Sequence, residues 1–209
     1  MDTKKEICYI GKKITKAGLV TACDGNISVR CADGSILITP SQKPKGEIRK
    51  KDILRVSLTG HVLEGNGNPS SETSMHIQIY SKRPDVKAIV HAHPITATAL
   101  SVAAIPFPSD VVTEGELVLG HVPTIPYALP GSMELATAAA VSMLQANVGL
   151  LERHGAIALG ESLTEALYRM ETLETVAKMY RDALLFASLR EDEAPHSEEK
   201  EIWSSPILF

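Results

Sequence analysis

The segment Ala88-Ile89-Val90-His91-Ala92-His93-Pro94 constrains the fold more than any other part of this 209-residue chain. Its apolar residues predict a buried β-strand, in which alternate side chains point to the same face of the sheet. His91 and His93 therefore share a face, and Pro94 ends the strand because proline has no N–H to donate. Two converging imidazoles are either stacked core histidines or the first two ligands of a metal ion.

Hydrophobic spacing, helix caps and breaker residues divide the rest of the chain into further elements. The predicted helices cover residues 3–19, 72–80, 96–104, 132–145 and 162–189. The first predicted strand follows the turn at residues 24–25 and ends at residue 30. The other predicted strands, apart from the histidine strand, cover residues 36–39, 53–58, 61–63, 111–120, 122–127, 148–151 and 156–159. We expect an antiparallel first third and one α/β domain over residues 1–189. The acidic tail, residues 190–209, carries an apolar end and is expected to be unstructured or docked on a neighbour.

Charge and cysteine content exclude several classes of protein. The net charge is -4 and both signs are interspersed, so no basic surface is predicted for nucleic acid or an anionic membrane. No apolar run reaches the roughly 18 residues of a membrane span, and no apolar leader segment is visible near residue 1, so we expect a cytoplasmic chain. Cys8, Cys23 and Cys31 lack the paired spacing of a disulfide framework or a zinc ribbon.

A metal site on the histidine strand needs ligands from elsewhere in the chain. His154 is the best candidate, because it lies in a short break between two predicted buried strands and is followed by Gly155. Three histidines and a carboxylate suit a divalent first-row metal, with zinc the usual occupant. Glu72 follows Ser70 and Ser71 at a predicted helix start, where local pattern alone indicates a carboxylate that favours the helix dipole.

Five motifs in this order resemble the class II aldolase and ribulose-phosphate 4-epimerase family, whose best-known aldolase cleaves L-fuculose 1-phosphate. The motifs cover residues 25–30 (Gly-Asn-Ile-Ser-Val-Arg), 38–41 (Ile-Thr-Pro-Ser), 69–72 (Pro-Ser-Ser-Glu), 91–93 (His-Ala-His) and 154–155 (His-Gly). The resemblance implies a three-layer α/β domain with a mostly antiparallel central sheet between helices. It also implies a homotetramer with active sites between subunits.

The resemblance also implies roles for individual residues. One divalent metal per chain would be held by His91, His93 and His154, with Glu72 as a movable carboxylate that transfers a proton. The phosphate of a sugar substrate would be bound by four further residues, Asn26, Ser41, Ser70 and Ser71. Donors of these types, together with N–H groups at a helix start, are sufficient to bind phosphate.

The chain departs from the family pattern at three places. Gln42 stands where family aldolases often have glycine, and no tyrosine follows Tyr180, although several relatives use a C-terminal tyrosine as a proton donor. Glu116 falls near the position of a catalytic carboxylate in epimerase and dehydratase relatives, with Glu114 close by. Each of these two glutamates is equally well explained as a solvated carboxylate at a strand edge.

Three functions follow from this sequence. The first is a metal-dependent aldolase for a phosphorylated ketose, such as L-fuculose 1-phosphate or a 5-deoxypentulose 1-phosphate. The second is another reaction on the same scaffold: 4-epimerisation of a sugar phosphate, dehydration of methylthioribulose 1-phosphate, or decarboxylation of a phosphorylated sugar acid. The third is a non-catalytic interaction domain like the adducin head, which the retained histidines disfavour.

Overall fold

A computed structural model describes residues 2–192 of the chain. Eight strands form one sheet in the order β4-β3-β2-β1-β5-β8-β7-β6. All neighbouring strands are antiparallel except β6 and β7, which are parallel. The strands are β1 (Asn26–Arg30), β2 (Ile36–Ile38), β3 (Leu54–Val56), β4 (Val62–Glu64), β5 (Ala88–Ala92), β6 (Thr124–Ile125), β7 (Val148–Leu151) and β8 (Gly155–Gly160).

Five α-helices cover the two faces of this sheet: α1 (Thr3–Lys16), α2 (Thr73–Lys82), α3 (Ile95–Val102), α4 (Met133–Ser142) and α5 (Leu163–Asp192). One core joins α1, α3 and α5 to one face, and a second core joins α2 and α4 to the other. Strand β5 serves both cores, because Val90 points into the first and Ile89 into the second. The predicted three-layer domain with a mostly antiparallel sheet is therefore confirmed.

Helix α1 illustrates how local sequence produces these elements. The carboxylate of Asp2 accepts a hydrogen bond from the N–H of Lys4 and so caps the first turn. Ile7, Ile10 and Ile14 recur at helical spacing and are fully buried in the first core. The helix ends before Gly18, whose φ of +70° is a conformation that glycine adopts without steric cost.

The predicted strand over residues 111–120 is wrong. The structure has a π-helical turn there, Gly115–Leu119, in which the N–H of Gly120 donates to the carbonyl oxygen of Gly115. A Cβ on Gly115 would lie 2.3 Å from the carbonyl oxygen of Ser109, so this close packing requires glycine. The valines of this segment favour a strand, but Gly115 packs against Ser109 and against Val176 of α5 in a helical conformation. The predicted strand at 122–127 is reduced to the two residues of β6.

The long C-terminal helix was predicted to end at residue 189 and reaches Asp192. The predicted tail therefore falls almost entirely on residues 193–209, which lie outside the described residues. Within residues 2–192, no helix combines the length and apolar character needed to cross a lipid bilayer.

Candidate metal centre and its cavity

His91 and His93 lie where β5 emerges from the middle of the sheet. His91 is fully buried on the face covered by α2, and His93 directly follows the strand. The N–H of His93 donates to the carbonyl oxygen of Leu19, which fixes the chain after its last ladder position. The ring centroids are 4.9 Å apart and the two Nε2 atoms are 3.1 Å apart. The predicted convergence of these imidazoles is confirmed.

His154 completes the cluster from the turn between β7 and β8. Its ring centroid lies 5.0 Å from that of His91 and 5.0 Å from that of His93. One potential ligand atom from each of the three histidines lies within 4.8 Å of the others. A Cβ on Gly155 would lie 2.5 Å from the carbonyl oxygen of Ala92, so glycine is needed for β8 to pass this close to β5.

Glu72 reaches the same cluster from the start of α2. It occupies the N-cap position, but its side chain caps no backbone N–H. Instead, Oε2 lies 2.9 Å from Nε2 of His91 and accepts a hydrogen bond of 2.9 Å from the Asn26 amide. Oε1 lies 3.6 Å from Nε2 of His154 and has no hydrogen-bond partner among residues 2–192. Glu72 therefore lies at the helix start, as the sequence predicts, and its carboxylate also contacts the histidine cluster.

The charges of these groups are strongly coupled. Burial alone would raise the pKa of Glu72, but the charge and hydrogen bond of His91 outweigh it and hold that pKa well below its usual range. Burial opposes protonation of His91, yet Glu72 raises its pKa. Burial and His91 lower the pKa of His93 to about 3, and the same two causes lower that of His154. Glu72 thus favours a positive charge on His91, while burial and His91 disfavour a positive charge on His93 and His154.

This donor set fits a divalent first-row metal ion. Nδ1 of His91 lies 2.9 Å from the carbonyl oxygen of Ala156, and donation to that oxygen leaves Nε2 with a free lone pair. Nδ1 of His93 lies 3.7 Å from the carboxylate of Asp24, which is too far for a hydrogen bond but places a negative charge beside that ring. Imidazole nitrogens with one carboxylate oxygen suit ions such as zinc. His91, His93 and His154 form a group that could bind such an ion.

The four residues predicted to bind phosphate lie beside this cluster. Asn26, Ser41, Ser70 and Ser71 line a cavity of about 190 Å³ together with Glu72, His93 and His154. A bridge between Pro40 and Pro69 holds the two serine-bearing loops side by side. Asn26 also donates a hydrogen bond to Glu72, so its amide group positions this carboxylate in addition to its predicted role in phosphate binding.

Gln42 lines the same cavity and has a φ of +53°. This left-handed conformation favours glycine, the residue that family aldolases often have here. The glutamine therefore retains the backbone shape expected for glycine.

Glu116 and Glu114 are not brought to the histidines within one chain. Both are exposed, and neither lines the cavity of the cluster. Glu116 belongs to the π-helical turn, and Glu114 lies against a groove beside α5. A catalytic role for Glu116 stays a prediction and would need a neighbouring subunit.

Three residues of the site were not predicted from sequence: Asp24 beside His93, Lys45 in the cavity wall, and His76 one turn after Glu72. His76 is fully buried, and its Nδ1 lies 2.6 Å from the hydroxyl of Ser28, which lies 2.8 Å from that of Tyr80. Burial and the neighbouring His91 lower the pKa of His76 to about 3. The spacing of His76 four residues after Glu72 was the available signal, because residues so spaced share one helix face.

Comparisons with known proteins agree with this geometry. The chain is 36% identical over 168 residues to L-fuculose phosphate aldolase of Haemophilus influenzae, covering 80% of this chain and 77% of the relative. It is 35% identical to 3-oxo-tetronate 4-phosphate decarboxylase of Pectobacterium atrosepticum (84% and 82% covered) and 35% identical to methylthioribulose-1-phosphate dehydratase of Acidiphilium cryptum (81% and 85% covered).

A solved structure of L-fuculose 1-phosphate aldolase superposes with a TM-score of 0.82 at 35% identity, covering 89% of this chain and 88% of the other. Sequence comparison with protein families matches residues 5–181 to the Class II Aldolase and Adducin N-terminal domain. With this match over most of its length, the chain belongs to the class II aldolase and adducin N-terminal domain family.

Proposed function

We propose that this protein is a zinc-dependent aldolase that cleaves a phosphorylated ketose to dihydroxyacetone phosphate and an aldehyde. L-Fuculose 1-phosphate and a 5-deoxypentulose 1-phosphate are the substrates to test first. The observation that carries the proposal is the cavity lined both by Glu72, His93 and His154 and by the serines of two adjacent loops. One compartment is therefore lined both by candidate metal ligands and by candidate phosphate donors.

The chemistry follows from these residue types. Retro-aldol cleavage breaks the bond between C3 and C4, moves the C4 hydroxyl proton to a base, and leaves the electron pair as an enediolate on the phosphate-bearing half. A divalent cation held by His91, His93 and His154 would supply positive charge where negative charge develops on oxygen. Glu72 is assigned as the base that receives the C4 hydroxyl proton and returns it to the enediolate carbon, because its Oε1 is buried and carries no hydrogen bond among residues 2–192.

Assembly and location complete the proposal. We assign the protein to the cytoplasm as a homotetramer with active sites between subunits, which would allow a neighbouring chain to supply the aldehyde-side groups missing from this cavity. Glu116 is a candidate for such a contribution, because it is exposed. The proposed division places the catalytic domain at residues 1–189 and a tail at residues 190–209.

A second candidate is another reaction on a phosphorylated substrate. It is favoured by the decarboxylase and dehydratase relatives, which are almost as similar to this chain as the aldolase. The reaction products distinguish these functions. An aldolase releases dihydroxyacetone phosphate, a decarboxylase releases carbon dioxide, and a dehydratase releases water from its substrate. The deciding experiment incubates the zinc-loaded protein with a panel of ketose 1-phosphates and the two alternative substrates, and identifies each product.

Glu72→Gln tests the assigned proton transfer. The variant keeps the size of the side chain and removes its basic oxygen, so turnover should fall by roughly a hundredfold or more, the usual contribution of a positioned acid or base. Metal content should stay near that of the wild type, since the three imidazoles remain. Glu161→Gln is the matched control, because Glu161 is exposed and does not line the cavity beside Glu72, and the variant should retain aldolase turnover. A Glu72→Gln enzyme with the wild-type cleavage rate would remove Glu72 from the reaction.

A further inference from the structure

Lys45 is a buried lysine in the wall of the candidate phosphate cavity. Only 1% of its surface is exposed, and it lines the cavity with Asn26, Ser41 and the two serines before Glu72. An ammonium group loses its hydration when it is buried, so lysines are almost never fully buried without a partner. The partners of this ammonium therefore indicate its task.

Its observed partners are two neutral carbonyl groups. Nζ donates to the backbone oxygen of Cys23 at 2.8 Å and to that of Lys43 at 2.7 Å. An ammonium carries three N–H donors, so one remains. Among residues 2–192, no carboxylate lies within the 4.0 Å of an ion pair with Lys45. Asp24 acts on Lys45 from a greater distance, but this carboxylate is half-exposed and faces His93.

The neighbouring lysine shows the opposite arrangement. Lys43 is partly exposed and forms an ion pair of 2.7 Å with Asp52, although a solvated ammonium needs such a partner least. Among residues 2–192, the buried lysine thus has no carboxylate in ion-pair contact, although burial makes its charge most costly. Burial lowers the pKa of Lys45, and a bound anion would reverse this by stabilising the charged form.

We propose that Lys45 is the cationic anchor of the substrate phosphate, held in place by the two carbonyls while its third N–H donates to a phosphate oxygen. The inference rests on the proposed function, in which the substrate is phosphorylated. It identifies Lys45 as the side chain that distinguishes a phosphorylated ketose from an uncharged one. The hydroxyls of Ser41, Ser70 and Ser71 are neutral donors, and hydrogen bonds from a charged donor are roughly twice as strong. Lys45 would therefore supply much of the discrimination against unphosphorylated sugars.

The test measures binding of inorganic phosphate by titration calorimetry to the full chain, with and without zinc. Lys45→Met removes the charge and keeps most of the chain length. Its Kd for phosphate should rise roughly ten- to a hundredfold, because hydrogen bonds to charged groups contribute about 1.5–3 kcal/mol. Lys43→Met is the matched control two residues away, and its Kd should equal that of the wild type. Zinc content should be the same in all three proteins.

Equal phosphate affinity in Lys45→Met and wild type, or no phosphate binding to the wild type, would overturn the proposal. Where Lys45→Met does not fold, Lys45→Gln keeps two N–H donors for the carbonyls and loses the charge, and the same rise in Kd is expected. Should neither variant fold, the side-chain NMR signal of wild-type Lys45 decides the matter: it should shift when phosphate is added, and an unshifted signal contradicts the proposal. Phosphate binding through Lys45 without dihydroxyacetone phosphate release would contradict only the proposed reaction.

Discussion

At the scale of single residues, the histidines of the metal centre differ in how readily each one takes up a proton. The pKa of His91 is raised beside Glu72, while burial and His91 itself lower the pKa of His93 to about 3. His93 is therefore neutral at pH 7 and has a lone pair to offer a cation. A metal ion would satisfy the carboxylate and the imidazoles together, which one proton cannot do.

Replacing His93 with alanine tests this ligand set. We expect the zinc content of protein purified without chelator to fall from about one per chain, because one of three imidazoles is lost. His61→Ala is a suitable control, since His61 is exposed and lies in the turn between β3 and β4. Metal content is measured by atomic emission on both variants. Full occupancy in His93→Ala would exclude His93 as a ligand.

Sequence patterns were sufficient for the residues whose neighbours are local. Strand alternation placed His91 and His93 on one face, and the break before Gly155 indicated His154. Lys45 was not predicted, because in a loop that also contains Lys43 and Lys50 nothing local separates a buried lysine from a solvated one. Its burial depends on packing between segments that are distant in sequence, and so does the approach of Asp24 to His93.

At the scale of elements, the centre depends on how closely β8 passes β5. The two strands pair over five positions, from Ala88 opposite Gly160 to Ala92 opposite Ala156. Just beyond this ladder, Gly155 lies against the carbonyl of Ala92 and the ring of His93. A side chain at this position would push apart the two strands that carry the three histidines.

Gly155→Ala should therefore damage both stability and metal binding. The added Cβ would lie 2.5 Å from the oxygen of Ala92 and 2.8 Å from Cδ2 of His93. Such overpacking costs about 1–3 kcal/mol, so the denaturant midpoint and the zinc content should both fall. Gly18→Ala serves as the control, because no atom lies within 4 Å of its added Cβ and only backbone strain is introduced. A Gly155→Ala protein with unchanged zinc content would show that the strands can separate without cost to the centre.

Elements were predictable where their pattern is long, as in α1 and α5, or mostly apolar, as in β5, β7 and β8. The error at residues 111–120 has a physical origin. Val111, Val112 and Val118 favour a strand locally, but the close contact of Gly115 with the carbonyl of Ser109 fixes a helical turn. Contacts of this kind do not appear in the periodicity of a sequence.

At the scale of the whole molecule, the last turns of α5 expose apolar side chains. Leu184, Leu185 and Phe186 are 50%, 56% and 65% exposed. Apolar clusters of this kind are typical of surfaces that contact another protein. They support the proposed assembly of several copies of the chain.

We therefore expect light scattering to give about four times the mass of one chain at micromolar concentration, since closed homo-oligomers bury such surfaces symmetrically. Phe186→Glu should reduce this mass if the end of α5 is part of the contact, because a buried unpaired charge is costly. Thr164→Glu, an exposed change in the first turn of the same helix, is the control for added negative charge. A wild-type mass equal to one chain would contradict the proposed tetramer.

The neighbouring strands β1, β5 and β8 position the metal centre, and this arrangement affects how the substrate preference of such an enzyme can evolve. Asn26 lies opposite His91 on β1, and the carbonyl that orients His91 belongs to β8, so one line across the rigid middle of the sheet fixes Glu72 and the imidazole. Except for Asn26, the groups assigned to the substrate phosphate belong to loops around residues 41–45 and 70–71. Metal affinity and substrate binding are thus encoded in largely separate parts of the chain. Random mutagenesis confined to those loops should yield altered substrate preference while the metal is retained, which makes this scaffold well suited to directed evolution.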